Sequence, residues 1–344
     1  MKLRFWESDP MTREIYDEDV RNYKGKHSNV SKDINDARLD RLREIYGITS
    51  KLAAENGDKK RKYIKYLSWL GVLLTIAFLL YDELEAHYLI IFCIVLLFAI
   101  IAIDLWSNYK NCHEKHLKYR MIAETTRVQF FLSAASIDTP VTELLPWFVQ
   151  QDIPWLKDIL SNPPVLPPHE KMPIINSWVE HQQSYHKSKI EPEEKKQRHN
   201  TYLTILIVII TMATYITTLC FELYLYKYPN TVINVDAFAA ILNAMHHIWA
   251  MDGYTQIDMI RGFLKIAMGT ASAASLFTAS YYGKMSLSDS IKDHKRMNEL
   301  YNKAKEDLKN GEPEEGVIEL ARHYLNENSA WYAYENQNKP DLVF

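Results

Sequence analysis

The chain has 344 residues, a formal net charge of −3 and a pI near 6.5, so its composition carries no global basic signature of nucleic-acid binding. Its mean hydropathy of −0.26 is that of a soluble protein, but this average combines very apolar segments with highly charged ones. The three cysteines form no CxxC pair and two of them lie inside apolar runs, which argues against a disulfide framework and a zinc site. The first twenty residues contain no apolar core of the length that a secretory signal peptide requires.

Four apolar runs without a charged residue predict membrane-spanning helices. A span needs roughly 20 apolar residues, with a range of about 17–25; the first two runs reach this length only with flanking residues, and the third reaches it unaided. The fourth is rich in Ala, Ser and Thr, which favour close packing between membrane helices. Buried helices of a soluble protein are the alternative, but such helices seldom run this long without a charge. The four runs are 66–81, 88–103, 201–221 and 266–283.

The charges beside these runs predict the orientation of the chain. Lys and Arg cluster before the first and third runs and after the second and fourth, whereas the turn at 82–87 has three acids and neither Lys nor Arg. The positive-inside rule therefore predicts cytoplasmic termini and a cytoplasmic middle segment, with the turn at 82–87 and the loop at 222–265 outside. A three-span topology without 266–283 stays open, and it would move the C-terminus outside.

The predicted fold class is all-α: an integral membrane protein with four transmembrane helices in two hairpins, plus cytoplasmic helices. The two halves share the same order of elements without a residue-by-residue repeat. In the outer loop, Asp236 is a plausible N-cap of an amphipathic helix. The predicted segments are N-terminal cytoplasmic helices at 1–62, a first hairpin at 63–106, a cytoplasmic helical region with a Pro-rich connector at 107–199, a second hairpin with an outer loop at 200–283, and C-terminal cytoplasmic helices at 284–344.

A stripe of charged and histidine residues follows the second run. His113, His116, Arg120, Glu124 and Arg127 are spaced by 3, 4, 4 and 3 residues, which places them on one face of a helix. The pattern alone favours a solvated face with intrahelical ion pairs, each worth about 0.2–0.5 kcal/mol. The alternative is a surface that binds an anionic lipid or nucleotide through arginine forks. No third ligand accompanies the two histidines, so we predict no metal site.

No enzyme signature is present. The sequence has no P-loop, dinucleotide-binding, HExxH or GxSxG motif, and its spans contain none of the ionisable residues that a membrane-embedded enzyme or transporter needs. We therefore predict a protein that is not an enzyme. The spans do contain hydroxyl groups, which either line a pore formed by several copies or pack helices together, and the sequence favours packing. The pore-lining candidates are Ser272, Ser275 and Thr278.

Three stretches carry a family resemblance. "KYRMIAETTRVQFFLSAASI" (118–137), "INSWVEHQQSYHKSK" (175–189) and "HKRMNELYNKAKEDL" (294–308), the last followed by "NENSAW", resemble segments of the SMODS- and SLOG-associating transmembrane effectors. The resemblance covers most of residues 60–335. It implies an effector of bacterial nucleotide-signalling antiphage systems such as CBASS, which senses a cyclic nucleotide and disrupts the inner membrane of the infected cell.

We therefore expect a cyclic-nucleotide-controlled effector of the bacterial inner membrane that permeabilises the membrane in abortive infection. Its expected partners are the lipid bilayer, a cyclic di- or oligonucleotide, further copies of the chain and a functionally linked nucleotide cyclase or polymerase, but no nucleic acid. The alternative is a membrane scaffold that docks a partner signalling enzyme and forms no pore. The candidate ligand-binding residues are Arg120, Arg127, Lys295, Arg296, Tyr301 and Trp331.

Overall fold

The computed structural model is all-α. It describes residues 10–31, 34–83, 88–167, 172–230, 232, 239–240, 243, 255–284, 287–310 and 313–337, and within these ranges the chain forms helices and no strand. Asp236, where the outer-loop helix is predicted to begin, lies outside the described residues; of that predicted helix only Ala239, Ala240 and Asn243 are described, and they are helical.

Ten α-helices follow one another along the described ranges, with short 3₁₀ turns at Ala37–Leu39 and Val141–Glu143. They are α1 (Arg13–Asn22), α2 (Asp40–Glu83), α3 (Leu89–Lys110), α4 (Cys112–Ala134), α5 (Trp147–Asp152), α6 (Leu156–Ile159), α7 (Met172–Lys227), α8 (Gln256–Lys284), α9 (Leu287–Asn310) and α10 (Pro313–Gln337).

The chain divides into two compact units. The first, which we call the helical unit, comprises Met1–Arg61, Ser107–Glu194 and Ser288–Phe344. The second, the apolar unit, comprises Lys62–Trp106 and Lys195–Leu287.

Two long helices contribute residues to both units. Helix α2 has 44 residues and α7 has 56, so each predicted cytoplasmic lead-in and the apolar run after it form one uninterrupted helix. The connecting sequences, "KKRKYIKY" at 59–66 and "KKQRHNTY" at 195–202, contain good helix formers and no proline. One proline does lie within α7: Pro192 has no N–H group, so it cannot donate the usual helical hydrogen bond to the carbonyl of Ser188.

In the part of the chain that the structure describes, three helical segments are long and apolar enough to cross a membrane, by length and composition. They are Ala37–Glu83, Leu89–Ala134 and Met172–Lys227. Few residues of their apolar windows are buried, and Phe98 on α3 and Ile209 on α7 expose 67% and 58% of their surface. Such helices are typical of a membrane protein. The fourth predicted run lies in α8, which is not one of the three segments.

Helix α4 lies at the centre of the helical unit. Most of its 23 residues are buried, including Leu117, Ile122 and Phe130 on different faces. Helix α10 packs along it, and Tyr16 of α1 contacts Tyr119, with ring centroids 6.2 Å apart. The interpretation of the stripe at 113–127 as a solvated face is therefore wrong, because neighbouring helices cover α4 on that side as well.

Helix α4 begins at a strained residue. Asn111 has φ 47° and ψ 38°, in the left-handed region, and its side-chain amide donates a 2.5 Å hydrogen bond to Glu114 Oε2. The left-handed conformation costs a residue with a Cβ roughly 1–2 kcal/mol, whereas it costs glycine little and asparagine less than other residues with a Cβ. The left-handed turn thus ends α3 and starts α4.

We expect Asn111→Ala to destabilise the protein by about 1 kcal/mol, because alanine keeps the strain and loses the hydrogen bond. Asn111→Gly should cost less than Asn111→Ala, since glycine loses the same hydrogen bond but relieves the strain. Thermal unfolding of the detergent-solubilised chain measures both. Equal destabilisation by alanine and glycine would contradict the role given to the backbone conformation.

In the apolar unit, α8 runs antiparallel to α2. Each helix presents a glycine to a large side chain of the other: Gly71 lies against the Phe277 ring, and Gly269 lies against Leu79. A Cβ on Gly269 would stand 2.6 Å from Leu79 Cδ1, so the large side chain would have to shift if glycine were replaced there. Helix α3 contributes Cys93 and Leu96, which pack with Ala77 of α2.

Candidate functional site

Arg127 of the predicted ligand set lies inside the helical unit and binds four side chains. Its guanidinium pairs with Glu124 at 2.8 Å, and both side chains are about 15% exposed or less. It also donates hydrogen bonds of 2.9 Å to Gln182 Oε1, 3.1 Å to Tyr324 Oη and 2.7 Å to Tyr46 Oη. The glutamate raises the pKa of Arg127, which stays charged. This network joins α2, α4, α7 and α10, so Arg127 holds the fold together and is not available as a ligand contact.

Tyr301 is also inside the core. It is fully buried, and its hydroxyl has no hydrogen-bond partner among the described residues. Its ring stacks on His186 with centroids 6.0 Å apart, and burial raises the pKa of its hydroxyl. A ligand base cannot stack on a ring that is enclosed in this way. The structure therefore replaces the predicted stacking role of Tyr301 with a packing role.

Arg120 and Trp331 form a stacked pair. The guanidinium carbon of Arg120 lies 3.8 Å from the centroid of the Trp331 ring, which is a close cation–π contact. Both side chains are partly buried. Within the described ranges, the Arg120 guanidinium makes no hydrogen bond and no ion pair. Five N–H donors held flat on an indole are suited to a ligand with two acidic oxygens, such as a carboxylate or a phosphate.

Histidine and carboxylate groups surround this pair. His116 meets the edge of Trp331 with ring centroids 6.0 Å apart, and its Nδ1 donates a 2.7 Å hydrogen bond to the Ala53 carbonyl. Burial, with a contribution from Arg120, lowers the pKa of His116 to about 4, so the ring is neutral at physiological pH. Burial, followed by the carboxylate of Glu327, raises the pKa of Asp293.

Lys295 and Arg296 are exposed and already paired. Lys295 lies 2.7 Å from Glu194, and Arg296 lies 2.5 Å from Glu327. Their side chains are 52% and 63% exposed, so these pairs contribute little to stability and an anionic ligand can compete for the cations. Of the six predicted ligand residues, four therefore have accessible charge or aromatic surface: Arg120, Trp331, Lys295 and Arg296.

The predicted pore-lining hydroxyls face a neighbouring helix of the same chain. Ser275 Oγ lies 2.9 Å from Thr211 Oγ of α7, and Ser272 Oγ lies 3.2 Å from the Tyr215 hydroxyl. Thr211 Oγ also lies 3.1 Å from the Ala271 carbonyl. Thr278, the third candidate, is partly buried on the same helix. In a single chain, Ser272 and Ser275 thus join α8 to α7.

The two histidines of the stripe contact backbone carbonyls. His113 Nε2 lies 3.0 Å from the Glu335 carbonyl, and His116 contacts Ala53 as described above. Among the described residues, no group of three or more His, Cys, Asp or Glu side chains is placed to hold a metal ion.

Sequence reasoning missed the partners that α4 meets. Tyr46, Gln182 and Tyr324 surround Arg127, but each is more than fifty residues away along the chain and no local pattern connects them. It also missed His186 and His294, whose Nδ1 atoms lie 2.8 Å apart. One signal was available: α4 has apolar residues on all its faces, as helices in the interior of a protein do.

No protein-family model, curated protein or solved structure matches this chain. Within its described residues the chain is all-helical, with three helices long and apolar enough to span a membrane and a helical unit that holds an arginine–tryptophan pair.

Proposed function

We propose that the chain is an effector of the bacterial inner membrane that permeabilises this membrane when a cyclic di- or oligonucleotide binds the helical unit, as part of antiphage defence. The observation that carries the proposal is the Arg120–Trp331 pair, which offers a stacked guanidinium that makes no hydrogen bond and no ion pair within the described residues, although Asp293 is near enough to interact with it electrostatically. Lys295 and Arg296 supply exposed positive charge on α9. Phosphodiester groups match this combination of charge and donors.

We propose that α8 is a fourth span and that both termini are cytoplasmic. The support is its contact with two apolar helices over one common length. Two ion pairs lie near the N-terminal end of α8: Arg261 binds Glu222 of α7 at 2.8 Å, and Lys265 binds Glu83 of α2 at 3.1 Å. Further along, the glycine contacts with α2 and the hydroxyl contacts with α7 follow. Reporter fusions at Phe344 test the topology, and an external C-terminus would contradict it.

The proposed mechanism is a population shift. A ligand that binds one arrangement of the helical unit more tightly than another favours that arrangement by the difference in affinity. Helices α2 and α7 contribute residues to both units, so a change in their N-terminal parts is a change in the same helices that form the apolar unit. The exposed apolar surfaces of α3 and α7 offer contacts to lipid and to further copies of the chain.

The proposal predicts a loss of response when Arg120 is changed. We expect dye uptake by cells that express the chain together with a cyclic-nucleotide synthase, and little uptake without the synthase. Arg120→Met should weaken the response about 10- to 100-fold in ligand concentration, since a hydrogen bond to a charged group is worth about 1.5–3 kcal/mol. Arg120→Lys should restore only part of it, because lysine lacks the planar fork.

Uptake of a membrane-impermeant dye measures this response, with matched amounts of protein in the membrane fraction. The control is Lys305→Met, which removes an exposed cation of the same unit that pairs with Glu180 at 3.0 Å. It should respond like the wild type. Unchanged uptake and growth with every nucleotide synthase would reject the proposal.

One observation favours the alternative, a membrane scaffold that docks a partner enzyme and forms no pore. The hydroxyls of Ser272 and Ser275 are bound to α7 in a single chain, so they do not line an open path. Conductance of liposomes that contain the purified chain separates the two functions. A scaffold leaves the conductance unchanged under every condition that activates the cell response.

A further inference from the structure

Helices α7 and α9 lie antiparallel in the helical unit and are joined by several polar pairs. Lys305 binds Glu180 at 3.0 Å at one end, and Lys295 binds Glu194 at 2.7 Å at the other. Because these outer pairs are exposed, each is worth little on its own. Between these two outer pairs lies a partly buried contact, whose hydrogen bond depends on the protonation of its two side chains.

This contact is a pair of histidines. His186 Nδ1 of α7 and His294 Nδ1 of α9 lie 2.8 Å apart, with ring centroids at 5.1 Å, and Tyr301 stacks on His186. A hydrogen bond between two ring nitrogens needs one N–H group and one lone pair, so at least one ring must be neutral. When both rings are protonated, two donors and two positive charges face each other and the contact is lost.

His294 contacts α7 on both sides of its proline. His186 precedes Pro192, and Glu193 follows it, with its Oε1 at 3.6 Å from His294 Nε2. Ser290 Oγ of α9 donates a 2.9 Å hydrogen bond to Glu193 Oε2. Pro192 removes one helical hydrogen bond at this point of α7. Helix α9 thus supports α7 across the break.

The charged groups around the pair oppose its protonation. Arg120 and Arg127 approach from α4 and Lys189 from α7, and only Glu193 favours a charged His294. Burial, the positive field of His294 and the two arginines lower the pKa of His186 to about 3. Burial also lowers the pKa of His294. Both rings are therefore neutral near pH 7, and the hydrogen bond between them is formed.

We propose that the His186–His294 pair is a latch that opens in acid. While the rings are neutral, the pair holds α7 against α9 across Pro192, and when the pair takes up protons it releases this segment of α7. The latched form binds protons less tightly than the open form, in which histidine regains its ordinary pKa of about 6.5. The latch is therefore fully stable above about pH 6.5 and weakens as the pH falls toward the lowered values.

Hydrogen–deuterium exchange of the full-length chain in detergent micelles tests the latch. The readout is the exchange of backbone amides of residues 184–196 at about pH 7.5 and about pH 5.0, each divided by the intrinsic exchange rate at that pH. The pKa of His186 is about 3 in the latched form and about 6.5 in the open form. Linkage between protonation and opening therefore gives an increase of about 30-fold in the opening constant over this interval.

Three variants decide the interpretation. The double variant His186→Asn with His294→Asn replaces both rings with neutral amides, so its exchange at 184–196 should lack the increase at about pH 5.0 after the correction. His116→Asn, the matched control, removes another buried histidine that contacts α2 instead, and it should keep the full pH response. A wild-type response absent at about pH 5.0, or a response retained in the double variant, overturns the proposal. Should the double variant fail to fold, Pro192→Ala takes its place: it restores the missing backbone bond and should keep the segment protected at about pH 5.0, and exchange as fast as in the wild type overturns the latch.

Discussion

Replacing Arg127 with methionine is expected to destabilise the helical unit by about 3 kcal/mol. The variant leaves Glu124 largely buried without its cation, and it takes a donor from Gln182 and Tyr46. Breaking a buried ion pair from one side costs about 3–5 kcal/mol, and we use the lower end because both side chains keep some exposure. Thermal unfolding of the detergent-solubilised chain, followed by tryptophan fluorescence, measures the loss.

The double variant Glu124→Leu with Arg127→Met is the control for this prediction. It removes both charges together, so it should be more stable than Arg127→Met alone, although Tyr324 loses its acceptor. Arg120→Met should cost clearly less, since that guanidinium only stacks on Trp331. If Arg127→Met and Arg120→Met are equally stable, the buried network does not have the structural role that we give it.

Trp178→Ala is expected to cost about 3–5 kcal/mol, the range for removing a large aromatic side chain from a core. Trp178 has no exposed surface, and it stacks on Phe131 with ring centroids 5.1 Å apart and an angle of 11° between the ring planes. Its edge also faces Tyr324, which binds Glu124. Urea unfolding of the same preparation provides the measurement.

Trp178→Phe separates packing from hydrogen bonding at this position. The indole Nε1 has no hydrogen-bond partner among the described residues, so phenylalanine removes an unsatisfied donor and keeps most of the stacking area. We expect a cost far below that of alanine. A phenylalanine variant as unstable as the alanine variant would mean that the N–H group has a partner, for example a buried water.

The sequence predicted which segments are helical better than it predicted which side chains these helices contact. Runs of apolar residues near twenty in number identify helices by themselves, and the structure confirms all-α architecture and three helices that can span a membrane. The spacing of the stripe correctly placed its residues on one helix. It could not show that Arg127 meets Tyr46 and Tyr324, because their approach depends on long-range packing and not on local periodicity.

The hydroxyls of α8 show the same limit in the apolar unit. Ser272 and Ser275 at helical spacing indicate a narrow polar face, and both hydroxyls lie on the side of α8 that contacts α7. The pattern does not say whether such a face meets water, lipid or another helix. Thr211 and Tyr215 of α7 answer the question for the single chain, and they lie about sixty residues earlier in the sequence.

The reciprocal glycine contacts between α2 and α8 fix the register of these two helices. Gly71 receives Phe277 and Gly269 receives Leu79, so sliding one helix along the other by a turn, about 5.4 Å, would force both large side chains out of their notches together. Rotation or separation of the helices does not require both side chains to be displaced together. Any opening of the apolar unit is therefore expected to be a tilting or splaying motion and not a piston stroke.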